Sequence, residues 1–145
     1  MSKVKRTPNQ TKKHYSQFSP NESQLLSIIV GNLLNEKLHI LPHAYSHVSN
    51  LELDDIYNTL SNCKILEFNI TNQESPRILV RANHPTHFNV VEGIEINYNL
   101  CVVIDIKSNC VITCYCNESC DEHSTLDDSR YNPELNIVEI ALNLN

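Results

Sequence analysis

The sequence predicts an α+β fold, with helices in its first half and antiparallel strands in its second. Three observations carry this. Residues 19–37 repeat apolar side chains every three or four positions, residues 63–81 and 100–116 alternate apolar with polar ones, and a three-residue turn joins the last two alternating runs. A chain of 145 residues is long enough for one domain with a hydrophobic core and too short for two ordinary ones.

Taken in order, residues 1–18 are polar, basic and aperiodic, the composition of a flexible basic arm. The remainder, 19–145, reads as a single α+β domain. Ser19 at the N-cap, Pro20 at the first helical position and Glu22 three residues after the cap form a capping box. The helix they open presents Leu25, Leu26, Ile29, Val30, Leu33 and Leu34 on one face through about Lys37. Pro42 opens a short helix that places His43 and His47 four residues apart on one side. Leu53, Ile56, Tyr57 and Leu60 mark another helix, with Glu52, Asp54 and Asp55 at its positive end.

From Cys63 the period changes to two. Ile65 to Ile70 and Arg77 to Arg81 read as strands, the second with cations at its ends. Residues 82–97, with Asn83, Pro85, Asn89 and Gly93, read as a long loop or flap. Leu100 to Ile106 and Cys110 to Cys116 form a hairpin about Lys107-Ser108-Asn109, with Asn109 left-handed. That register pairs Ile104 with Ile112, Val102 with Cys114 and Leu100 with Cys116. Asn136 to Leu144 alternates Val138, Ile140, Leu142 and Leu144 with polar or small residues and reads as a last strand.

Charge and composition narrow the function classes. Net charge is −6, yet the first twenty residues hold five cations and no acid, which leaves 6 cations against 17 acids in the rest. Such a body is a poor general binder of nucleic acid, because nonspecific affinity comes from neutralising phosphates. No apolar run approaches the roughly 18–20 residues that cross a bilayer, and no apolar segment follows the basic start as in a secretory signal. The expected location is cytoplasmic, with no membrane partner, and the six cysteines are expected as free thiols.

Cys110, Cys114, Cys116, Cys120 and His123 offer soft ligands for zinc, for which Cys116, Cys120 and His123 are the candidates. Their spacing departs from the usual Cys-x2-Cys knuckle, and Cys114 and Cys116 share the face assigned to the core. The expectation is therefore no metal and no cofactor. Residues 117–131, directly after a core strand, concentrate titratable and hydrogen-bonding groups, among them His123, Thr125, Arg130 and Tyr131. His43 and His47 suit proton transfer near neutral pH, and Arg81 suits bidentate phosphate binding.

The order of elements, with His43-Ala44 and its helix, Arg77-Ile78-Leu79-Val80-Arg81, Val102 to Asp105, Val111 to Tyr115, and His123 to Asp127 with Arg130-Tyr131, resembles the superfamily of barnase, EndoU, the RNase colicins and the RelE toxins. It looks most like phage- and mobile-element-associated RelE-like branches, over roughly residues 38–131. The resemblance implies N-terminal helices packed on a mainly four-stranded antiparallel sheet, and a metal-independent endoribonuclease or toxin acting on RNA. His43, His47, Arg81, His123, Thr125 and Tyr131 would then form the catalytic set, and Arg77, Arg130 and Lys107 would bind substrate. An antitoxin or immunity protein would be the partner. Two alternatives stand beside it: a non-enzymatic acidic binder such as an inhibitor, antitoxin or nucleic-acid mimic, and a zinc-stabilised interaction module.

Overall fold

The computed structural model describes residues 11–70, 75–121 and 131–144. Its centre is a curled, mixed sheet of seven strands: β1 (Lys12–His14), β2 (His39–Ile40), β3 (Cys63–Asn69), β4 (Arg77–Ala82), β5 (His87–Val91), β6 (Ile94–Asp105) and β7 (Cys110–Glu118). The order across it is β1-β3-β4-β6-β7-β2, with β5 pairing only β6. Among the described residues three short α-helices accompany it: α1 (Pro20–Leu33), α2 (Leu53–Ser61) and α3 (Ile137–Leu142). The expected helices on a mainly four-stranded antiparallel sheet are therefore corrected. Four antiparallel strands exist at the centre, but β1, β2 and β5 extend them, β2 runs parallel to β7, and one helix is at the C-terminal end.

Three departures have physical causes. The first is β1, which falls inside the expected arm. Lys12, Lys13 and His14 pair with Asn69, Phe68 and Glu67, and the cationic Lys13 is drawn inward by Glu22. The second is the expected 82–97 loop, most of which is a hairpin of β5 with the first half of β6. Its turn is Glu92-Gly93, with φ of 52° and 78°, the paired left-handed geometry whose twist matches that of the strands it joins. The third is the expected last strand, which is α3. Asn136 caps it by accepting from the Glu139 N–H, and Ile137 and Ile140 lie three apart on the side packed into the core. A short apolar run satisfies both periods, and packing decides between them.

α1 keeps the predicted capping box: Ser19 Oγ accepts from Glu22 N–H, and Glu22 accepts from Ser19 N–H. The main core lies between the helices and one sheet face, where Leu26, Ile56, Phe68, Val80, Leu100, Val102 and Ile137 are all fully closed to solvent. Each such side chain contributes roughly 1.5–3 kcal/mol relative to exposure. In the β6–β7 hairpin, Val102 pairs with Cys114 and Leu100 with Cys116 as expected, and Asn109 is left-handed at φ 61°. Ile104, however, pairs with Val111 rather than Ile112, because a bulge shifts the register beyond Val103.

Among the described residues no helix is long and apolar enough to cross a membrane.

Candidate functional site on the open sheet face

The face of the sheet turned away from the helices is where charge collects. Strand alternation fixes its occupants: Lys12 and His14 from β1, Lys64, Glu67 and Asn69 from β3, Arg77, Leu79 and Arg81 from β4, Asn99 and Cys101 from β6, and Tyr115 and Asn117 from β7. A bulge in β3 between Ile65 and Glu67 turns Leu66 to the same side as Glu67. Leu66, Leu79 and Cys101 form a small buried cluster there, flanked by Tyr15, Val103 and Tyr115.

That apolar patch separates two clefts. One, of about 300 Å³, is lined by Lys64, Leu66, Arg81, Asn83, Asn99 and Ser119. The other, of about 180 Å³, is lined by Lys12, Glu67, Asn69, Arg77, Leu79 and Tyr115. A larger apolar cleft of about 510 Å³ runs between α1 and β3 elsewhere on the molecule, with Lys64 its one charged residue.

Arg81 is anchored by backbone rather than by a carboxylate. Its Nη2 donates to the carbonyls of Glu118 and Ser119 at 3.2 and 3.3 Å, and its Nε is buried without a partner among the described residues, as is Asn117 Nδ2. Asn99 is held by donation to Ala82 O at 2.8 Å and by accepting from the Ser119 hydroxyl. Lys64, the cross-strand neighbour of Arg81, places its ammonium 3.7 Å above the Tyr15 ring, a contact that leaves its charge uncancelled. The Cys101 thiol, beside Arg81, is pushed up to about 11 by burial, with the guanidinium opposing that rise.

At the other cleft Lys12 sits 3.6 Å from Glu67, which also accepts a hydrogen bond from the Tyr131 hydroxyl. The His14 ring lies edge-on to Tyr131 at 5.1 Å and over Tyr15 at 4.3 Å. Arg77 makes no hydrogen bond or ion pair among the described residues. Its cross-strand neighbour Asp105 is occupied by the Ser75 hydroxyl and the N–H groups of Lys107 and Ser108. Burial alone would raise the Asp105 carboxyl, but these donors outweigh it and hold it below its ordinary value.

The structure unites some sequence candidates and separates others. Arg77 and Arg81 share a face, as alternation implies. Tyr131 is 7% exposed and orients Glu67 rather than presenting its own hydroxyl. The His43 and His47 rings meet at 4.9 Å, both exposed, but His43 is on a 3-10 turn, Pro42–Tyr45, and His47 directly follows its cap, Ser46. Ala44 and Val48 anchor this segment in the helical core, so the histidines belong to the opposite side of the sheet from Arg81. Lys107 is exposed in the β6–β7 turn. His123, Thr125 and Arg130 lie outside the described residues.

Of the zinc candidates, Cys116 packs against the helical core and Cys120 is exposed, while His123 lies outside the described residues; no cluster of metal-binding groups forms among the described residues. All six cysteines are free. Lys12, Lys64, Asn99 and Asn117 escape sequence reasoning; a lone polar residue in a strand looks the same whether its face is solvated or functional.

No family model, curated protein or solved structure matches this chain.

Proposed function

We propose that this protein binds single-stranded RNA on the open sheet face, without cleaving it. The observation that carries the reading is a gathering of cations, with Glu67 and Asp105 the acids among them. In a chain of net −6, Lys12, Lys64, Arg77 and Arg81 gather on one face, and Arg81 holds its position through carbonyls, leaving its charge available to a phosphate. Arg77 and Arg81 stand four residues apart on β4, a span of about 13 Å that suits every second phosphate of an extended strand. The half-buried residues that flank the cluster between the clefts, Tyr15, Val103 and Tyr115, supply an apolar surface for bases, the second element of single-strand recognition.

Cleavage needs a general base beside the phosphate. The described lining of the Arg81 cleft carries no histidine or carboxylate, and His43 and His47 are across the sheet. The RelE-like ribonuclease reading thus lacks the support that proximity would have given it.

Fluorescence anisotropy with a labelled single-stranded RNA tests the proposal, with the products run on a denaturing gel in EDTA. Binding that weakens about tenfold in Arg77→Ala, with the RNA intact, is expected. Wild-type affinity in Arg77→Ala and Arg81→Gln alike would contradict the proposed face. Metal-independent cleavage by the wild type would restore the nuclease reading.

A further inference from the structure

The β5–β6 hairpin ends in an unprotected edge. β5 pairs with β6 alone, and its five residues, His87-Phe88-Asn89-Val90-Val91, include no Lys, Arg, Asp, Glu or Pro, the groups with which edge strands ordinarily block further pairing. Phe88 is 67% exposed, Val90 57%, Val91 44% and Ile94 67%. Large apolar side chains concentrated on one ribbon mark an interaction surface.

The turn determines which backbone groups are free. A two-residue turn at Glu92-Gly93 makes Val91 and Ile94 its closing hydrogen-bonded pair, and such pairs alternate along the ladder through Asn89 with Ile96 and His87 with Tyr98. The N–H and C=O groups of Phe88 and Val90 therefore point away from β6. At the far end Thr86 N–H also donates to Tyr98 O at 2.8 Å, the shared acceptor of a bulge, which ends the regular ladder.

We propose that this edge pairs antiparallel with the same strand of a second copy, about a two-fold axis through Asn89. An axis perpendicular to the sheet must pass through a residue, so that opposed side chains stay on one face. The axis through Asn89 overlaps all five strand residues. Moving it by one residue brings either the bulge at Thr86 or the turn at Glu92 into the ladder.

In this register each Phe88 opposes Val90 of the other copy, and an aromatic against a β-branched side chain is a favourable cross-strand pair. The two Phe88 and two Val90 side chains of the pair then share one face. No charge opposes a like charge across the axis, which matters when two acidic bodies approach. The contact is isologous and closes on itself, and it is independent of the RNA reading.

Light scattering of the full-length chain during size-exclusion chromatography gives the first test. The expected mass is that of two chains of 16.6 kDa, falling to one chain in Val90→Lys with its circular dichroism unchanged. Asn89 meets its own copy at a position without cross-strand hydrogen bonds, where Cα atoms lie about 4.5 Å apart, within disulfide reach. Asn89→Cys should crosslink on mild oxidation, with the link mapped by mass spectrometry to position 89, while His87→Cys should not link at position 87. A wild-type mass of one chain at about 100 μM, near the weak end of specific association, overturns the proposal. So does a dimer that persists in folded Val90→Lys, or equal crosslinking at both positions. Should Val90→Lys fail to fold, the two cysteine variants decide.

Discussion

Lys13 donates to both carboxylate oxygens of Glu22, at 2.8 and 2.9 Å, and both residues are buried. The same ammonium donates to Leu135 O, and Glu22 accepts from the N–H of Ile137. One ion pair thus ties β1, the start of α1 and the start of α3. Lys13→Met leaves the carboxylate buried and unpaired and should destabilise the fold by about 3–5 kcal/mol, while Lys13→Met with Glu22→Gln should recover most of that loss. Urea denaturation measures both.

The same pair gives a pH dependence. Burial raises the Glu22 carboxyl, but Lys13 and the N–H groups of Ser19 and Ile137 outweigh it, and the folded value lies below the ordinary 4.5. A depressed carboxyl contributes stability that is complete above its unfolded pKa and lost as pH falls through the folded one. Stability should fall below about pH 4.5 in the wild type, and the Lys13→Met, Glu22→Gln double variant should lose less over that range.

Asn109 holds φ 61° in the central hairpin and donates its N–H to Asp105 O at 3.0 Å. A left-handed residue with a branched side chain costs roughly 1–2 kcal/mol, so Asn109→Val should lower unfolding stability by about that amount. Asn109→Gly should leave it within about 0.5 kcal/mol. Equal stability in the two variants would show that the turn is not left-handed at this position.

The thiols divide by burial. Desolvation pushes Cys63 up to about 11 and Cys114 to about 12, whereas Cys120 is exposed. At pH 8 iodoacetamide should modify Cys120 first and reach Cys101 and Cys114 only on unfolding, since the thiolate is the reactive form. Peptide mapping that finds Cys114 labelled as fast as Cys120 would contradict the core placement.

What the sequence made legible was local. Ser19, Pro20 and Glu22 announce α1 within four residues, and the alternation in β6 and β7 places Val102 against Cys114. β1 was hidden because Lys12 and Lys13 look like a solvated charge run, and the groups that draw Lys13 inward, Glu22 and Leu135 O, are brought there by the tertiary fold. The β5 hairpin carried a turn signal in Glu92-Gly93, but Asn83, Pro85 and Asn89 nearby suggested a loop. α3 is too short for its period to separate helix from strand. At the candidate site, Arg77 and Arg81 followed from alternation. Lys12 and Lys64 did not, because strand pairing, not spacing along the chain, gathers them.

The central claim, that four cations on the open sheet face hold RNA phosphates, is tested most directly by the salt dependence of binding. For a single strand, log affinity falls with log salt by about 0.7 per phosphate neutralised, so wild-type protein should show a slope of about −2 to −3. Arg77→Ala with Arg81→Gln should flatten it by about 1.4, two phosphate contacts' worth, with the fold intact by circular dichroism. An unchanged slope in the double variant, or no affinity for RNA in the wild type, would contradict the account.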